Sequence, residues 1–174
     1  ITHAYSYGEA PLAIKTLNAN LDLNIKEFIT VNFDAVKDII DSIGGVQMQI
    51  TSEEVSHIPG ITAAGTYNLT GEQALAYARI RYAEGGDYKR TERMRDVLTA
   101  VANKVKTMNV SQLNNLVDEI LPRVYTNITA GDIFSLFPSV ASFNITESKG
   151  WPYETKGITL DRWYGVPVTL ESNV

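Results

Sequence analysis

The sequence predicts an α/β domain, and three observations carry that prediction. An apolar, β-rich run at residues 28–33 leads into a helical stripe at Val36, Ile39, Ile40 and Ile43, then past Gly44-Gly45 into the run VQMQI at 46–50. Strand, helix and strand with a short exit predict a right-handed crossover and parallel pairing. Apolar positions at 3–4 spacing recur from residue 89 to 142 and predict a helical layer. At 174 residues and 44% hydrophobic, the chain suffices for one globular domain with a real core.

Taken in order, residues 1–7 read as loop. Residues 8–21 read as a helix with Leu12, Ala13, Leu17 and Leu21 near one face and Pro11 tolerated in its first turn. After the strand at 28–33, Asp34 can cap the next helix, and Gly44-Gly45 ends it. Residues 51–67 read mostly as loop, with His57 beside Pro59 and Gly60. A lone loop histidine is more often an exposed polar residue than a ligand. The same reading holds for His3, and neither lies in a metal-ligand spacing.

Thr70 and Gln73 form a capping-box pattern, so a helix starts at Gly71, with Leu75 and Ala78 on its buried side. Gly85-Gly86 breaks the chain. A second helix begins at 87–90 and carries Met94, Val97, Leu98, Val101, Val105 and Met108. Ser111 caps a helix to about residue 124, bent near Pro122, with Leu113, Leu116, Val117, Ile120 and Leu121 inward. Thr129 or Ala130 opens another, with Ile133, Phe134, Phe137, Val140 and Ala141 apolar. Residues 143–146 and 158–160 are short strand candidates. Residues 151–153 and 163–167 read as aromatic loops closing the domain edge, for packing rather than binding. Four Asn-x-Ser/Thr matches occur, at Asn68, Asn109, Asn127 and Asn144; helix capping by Thr70, Ser111 and Thr129 explains three.

Composition excludes several functions. The net charge of −5 argues against a general nucleic-acid binder, which is basic across a face. The absence of cysteine excludes disulfides and thiol chemistry and leaves the compartment undecided. No apolar run approaches the roughly 20 residues of a membrane span, and no signal peptide is present. A start at Ile1 without Met reads as a fragment or processed chain. The chain has no internal repeat, linker or low-complexity segment. It also has no phosphate-binding Gly-rich Lys loop, no Gly-x-Ser-x-Gly elbow and no histidine triad.

What remains is a concentration of arginine. Arg79, Arg81, Lys89, Arg90, Arg93 and Arg95 fall within 17 residues, six of the chain's 15 basic residues, interleaved with Glu84, Asp87 and Glu92. Five forks against one ammonium suit phosphate or carboxylate held bidentately. The apolar stripe of the second helix, extended backwards, lands on Arg90 and Arg93. Both are expected to point inward at the edge of a cleft, and Arg95 elsewhere. Arg79 and Arg81 diverge if they lie on a helix and point the same way if the helix ends at Ala78. Lys89 and Arg95 read as a solvated helix face. Arg79, Arg81 and Arg90 read as an anion site, because inward arginines need a partner and the nearby acids are too few. Such a set can hold the oxygens of a diphosphate and stabilise charge during phosphoryl transfer. Asp87 can orient Arg90 or an incoming hydroxyl, help to hold a metal, or simply cap the helix.

The run ALAYARIRY…D..R..R resembles the signature of the LytR-CpsA-Psr family, enzymes that attach glycopolymers to the bacterial cell wall. ITHAYSYGEAPLAIKTL, FITVNFDAVKDIIDSIGGV and YNLTGEQALAYARIRY resemble further family segments in the same order. The resemblance implies a three-layer α-β-α sandwich with a mixed central sheet. Residues 1–174 would be a single domain, the C-terminal two-thirds of the family's own. It implies a phosphotransferase that moves a polyprenyl-pyrophosphate-linked glycopolymer, teichoic acid or capsular polysaccharide, to a peptidoglycan hydroxyl and releases polyprenyl phosphate. The catalytic set it implies is Arg79, Asp87 and Arg90. Pyrophosphate contacts fall to Arg79, Arg81, Arg90 and Arg93. Mg²⁺ at the diphosphate is implied too, with its acidic ligands upstream of this chain and none within it. The lipid tail is expected in an apolar tunnel walled by the helices at 12–21, 36–43 and 94–108. Family members sit on the outer side of Gram-positive cells, membrane-anchored through a segment upstream.

Two other readings stand beside the transferase. One is a non-catalytic binder of polyisoprenoid phosphate or pyrophosphate lipids. The other is a structural α/β domain with a salt-bridged helix face. A sheet lacking its upstream part exposes strand edges, so a homo-oligomer or a paired partner is expected.

Overall fold

The computed structural model of the chain describes residues 3–81, 86–140, 142, 145, 148, 155–159 and 163–167. The first elements are α1 (Ala4–Leu21), β1 (Ile29–Thr30), α2 (Phe33–Ser42), β2 (Val46–Ile50), β3 (Gly65–Leu69) and α3 (Gly71–Ala78). Then follow α4 (Gly86–Val105), α5 (Val110–Ile120), β4 (Tyr125–Thr126), α6 (Ala130–Val140), β5 (Thr155–Thr159) and β6 (Trp163–Pro167). The chain folds as two compact units, Ile1–Phe28 with Lys149–Val174, and Ile29–Ser148.

In the first unit, α1 begins earlier than the sequence reading placed it and is kinked at Gly8 and Glu9, whose φ angle is 51°. Pro11 therefore lies in the first turn beyond the kink, where its missing N–H costs no hydrogen bond. Past the helix end, the Asn18 amide group donates to the Ile25 carbonyl and accepts from the Ile25 N–H, at 2.8 and 2.9 Å. β5 and β6 form an antiparallel hairpin. Residues 163–167, read from sequence as an aromatic loop, are thus a strand. The candidates at 151–153 and, apart from Ile145, at 143–146 lie outside the described residues.

The second unit holds the core. β2 alternates strictly, with Val46, Met48 and Ile50 buried and Gln47 and Gln49 exposed. Its partner is β3, antiparallel, pairing Val46 with Leu69 and Ile50 with Gly65. β1 pairs antiparallel with β4. The expected parallel crossover between β1 and β2 is not formed: the described strands make three separate two-stranded antiparallel ladders. The α/β class holds, but β3 lies inside a segment read as loop. Its residues GTYNL alternate between exposed and more buried, with only Leu69 fully buried and Tyr67 packing partly against the core, so apolar periodicity is weak there.

Local signals set the joints. Gly44 and Gly45 have φ angles of 78° and 87°, and their N–H groups close α2 onto the Asp41 and Ile40 carbonyls. Thr70 and Gln73 make the reciprocal capping box at the start of α3. Asn109, not Ser111, caps α5, again with a reciprocal partner at Gln112. Ile40, Ile50, Leu69, Val46 and Val97 are the largest fully buried side chains. Leu98, expected in the inward stripe of α4, is 51% exposed, while Met94, Val101, Val105 and Met108 pack against the core.

Candidate functional site

The site begins where α3 stops. The helix ends at Ala78, and Arg79 is its C-cap, a cation at the negative end of the helix dipole. Beyond it the chain alternates: Arg79 is exposed, Ile80 buried, Arg81 exposed. The two arginines therefore share a side, the outcome that a helix ending at Ala78 requires. Arg90 reaches the same place from the first turns of α4. Arg79, Arg81 and Arg90 line one cavity of about 720 Å³ together with Phe33, Ala78, Thr91 and Met94.

The chemistry of that cavity is cationic, with an apolar wall. The Arg79 guanidinium stacks over the Phe33 ring, 5.0 Å from its centroid. A cation–π contact of this kind contributes about 0.5–1 kcal/mol at an exposed site. It orients the fork without neutralising it. Among the described residues no carboxylate lies within ion-pair distance of Arg79 or Arg81. Like charges gathered in one place repel one another, and an anion bridging them relieves that cost.

Arg93, also expected as a pyrophosphate contact, is not among the residues lining this cavity. It follows Arg90 by three positions on α4, about 60° round the helix and about 4.5 Å along it. There it is buried, 6% exposed. Its Nε donates to Glu54 Oε1 at 2.8 Å, and an Nη donates to the Ile80 carbonyl at 3.4 Å. Glu54, also 6% exposed, was not found from sequence. Its other oxygen accepts from the Thr51 N–H at 3.0 Å. The Thr-x-x-Glu spacing at 51–54, a helix-start pattern, is the local signal that singles out Glu54, but it says nothing of the Arg93 partner.

The Glu54 carboxyl is pulled two ways. Burial raises its pKa, but hydrogen bonds from Thr51 and Arg93, with the Arg93 charge, outweigh burial and hold it below the ordinary value of 4.5. A carboxyl depressed in the folded state contributes stability above its unfolded pKa and loses it as pH falls through the folded value. Glu54→Gln is therefore expected to flatten the loss of stability below about pH 4.5, as read by urea midpoints against pH.

The other predicted residues place as follows. Lys89 pairs with Glu92 at 2.8 Å on an exposed face, as read from sequence. His3 and His57 are exposed. Asp87 lies in the first turn of α4, and its side chain is outside the described residues. Among the described residues no three His, Asp or Glu side chains are grouped as a metal cluster.

A second, apolar cavity of about 200 Å³ lies in the same unit. Ile29, Val31 and Ile39 line it with Leu116, Val117, Ile120, Leu121, Val124 and Ile133. Its walls are β1, α2, α5 and α6 with the turn after α5. Of the helices expected to wall a tunnel, only α2 contributes. The 29–33 segment touches both cavities, the apolar one through Ile29 and Val31 and the cationic one through Phe33.

Comparison with known proteins places this geometry in a family. The model of the LytR_cpsA_psr family matches residues 1–167. Over 168 residues the chain is 32% identical to the polyisoprenyl-teichoic acid–peptidoglycan teichoic acid transferase TagT of Bacillus subtilis (strain 168), covering 90% of this chain and 52% of that protein. It is 31% identical over 165 residues to biofilm regulatory protein A of Streptococcus mutans, covering 88% of this chain and 40% of that one. The crystal structure of B. subtilis TagT matches with a TM-score of 0.74 and 25% identity, over 94% of this chain and 63% of that one. A structure of TagT bound to LIIa-WTA matches with a TM-score of 0.68 and 29% identity, over 80% and 55%. The chain spans about half the length of the curated relatives it matches.

Proposed function

The chain belongs to the LytR_cpsA_psr family, and from that membership we propose that it is part of a transferase that moves a polyprenyl-pyrophosphate-linked glycopolymer onto peptidoglycan. The observation that carries the proposal is the convergence of Arg79, Arg81 and Arg90 on one cavity. Three forks around a pocket suit the oxygens of a diphosphate, which gains charge on its leaving side during transfer.

The reaction is a phosphoryl-centred displacement. A peptidoglycan hydroxyl attacks the phosphorus that bears the glycan. The bond between that phosphorus and the bridging oxygen breaks, polyprenyl phosphate leaves with the electron pair, and the hydroxyl proton is lost. Arg79 and Arg81, held on one side of the segment after α3, would grip the diphosphate from one direction, and Arg90 from the other. Asp87 is proposed to orient the incoming hydroxyl. Mg²⁺ is proposed beside the diphosphate, with ligands outside the described residues. The apolar cavity would take the first isoprene units, with Phe33 at the join. The glycopolymer is proposed to be a teichoic acid or capsular polysaccharide. The protein is proposed to act on the outer face of a Gram-positive membrane, anchored by a segment other than those described. No helix among the described residues is long and apolar enough to cross a membrane.

The test is transfer by the full-length parent protein with Mg²⁺, a polyprenyl-pyrophosphate glycan in detergent and peptidoglycan sacculi. Glycan attached to the sacculi is the expected result. Tight lipid binding without attachment would replace this reading with a lipid-binding module that does no chemistry. Phe33→Leu is expected to weaken lipid-pyrophosphate binding by about threefold, the loss of one exposed cation–π contact, as measured by titration calorimetry.

A further inference from the structure

We propose that Glu54 and Arg93 are positioning residues for the anion site: their buried pair holds the Ile80 carbonyl and so sets where Arg79 and Arg81 present their guanidinium groups. The proposal rests on the reading of the arginine cavity given above.

Ile80 is the residue between the two exposed arginines, and it is held on three sides. Its side chain is in the core at 4% exposure. Its N–H donates to the Tyr77 carbonyl at 3.2 Å. Its carbonyl accepts from Arg93 at 3.4 Å. A peptide fixed at its N–H, its side chain and its C=O has little freedom left, and the neighbours on either side inherit its orientation. Without the Arg93 contact this stretch is the end of a helix, where carbonyls lack intrahelical partners and the chain frays.

Arg93 reaches Ile80 only because it is held itself. Glu54 takes its Nε, and the Thr51 N–H takes the second Glu54 oxygen. The relay runs from the Thr51 backbone, through two buried charges, to the backbone between Arg79 and Arg81. A lysine cannot replace Arg93 in this, since one ammonium on a flexible stem does not serve a carboxylate and a carbonyl in a fixed plane. Stability alone is a weak reason for the pair. A buried ion pair is often no better for the fold than well-packed apolar residues of the same volume. An apolar pair, however, donates nothing to a carbonyl.

The test measures binding of inorganic pyrophosphate to the full-length parent protein by calorimetry, with folding checked by circular dichroism at the same temperature. Arg93→Lys, which keeps the charge beside Glu54, and the apolar double substitution Glu54→Met with Arg93→Met are each expected to lower affinity at least about fivefold. In an Arg79→Ala, Arg81→Ala background the same changes are expected to have no further effect. Leu113→Ala, buried away from this relay, serves as the control for lost stability and should leave affinity unchanged. Folded Arg93→Lys and double-Met proteins that bind pyrophosphate like the parent would overturn the positioning role. Equal losses with and without Arg79 and Arg81 would overturn it too. If removing Arg79 and Arg81 itself leaves affinity unchanged, the cavity reading fails instead.

Discussion

Replacing Arg79 and Arg81 together with alanine is expected to lower affinity for a polyprenyl pyrophosphate by roughly 100-fold or more, with a fall in stability of only about 1 kcal/mol. Each contributes a charge-assisted hydrogen bond of about 1.5–3 kcal/mol to an anion, and about 3 kcal/mol is a little over two decades in affinity. Both side chains are exposed, and among the described residues neither has a carboxylate partner to lose. The lost Arg79–Phe33 contact costs about 0.5–1 kcal/mol, and surface substitutions otherwise change folding free energy by about 0.5 kcal/mol or less. The loss should shrink as salt is raised, because screening weakens the parent's binding first. Calorimetric titration at two ionic strengths, beside a urea melt, reads all of this. If stability falls while affinity holds, the cluster is a salt-bridged helix face and not an anion site.

The largest effect on the fold is expected at Gly71. A Cβ there would lie 2.3 Å from the Lys37 carbonyl oxygen and 2.7 Å from Lys37 Cγ. The oxygen belongs to the backbone of α2, so no rotamer change relieves the clash. The Gly71 N–H also donates to Asp41 Oδ1 at 2.7 Å, which ties the start of α3 to α2. Gly71→Ala must push the two helices apart, at a cost of about 2–4 kcal/mol for overpacking and the lost, partly buried bond. In a domain of this size that is a fall in Tm of roughly 10 °C. Since α3 ends in Arg79, pyrophosphate affinity should fall with it. A melt within about a degree of the parent would show that α2 and α3 do not approach so closely.

The places where sequence and structure agree share a feature: each is a signal within one turn of chain. The Thr70–Gln73 box starts α3, Gly44-Gly45 stops α2, and VQMQI alternates as β2. Caps and periodicities act between residues a few positions apart, so their outcome is written locally. The clustering of arginines either side of a glycine break was also legible, because helix ends and apolar stripes set which way their side chains start out.

The misses are of another kind. β3 was hidden because only one of its side chains is fully buried, and its strand character comes from pairing with β2. The parallel crossover expected from strand, helix and strand gave way to antiparallel ladders, since the partner of each strand lies elsewhere in the chain. Arg93 carried the same motif spacing as the other arginines, yet its partner is Glu54, 39 positions away.

From its residues alone this chain determined an α/β class, the start of α3, the end of α2 and a family signature rich in arginine. Tertiary structure decided which arginines share that pocket and which one is buried behind it. Turn-scale signals depend on neighbours in sequence. Whether a guanidinium meets a buried carboxylate or open water depends on residues that only folding brings together.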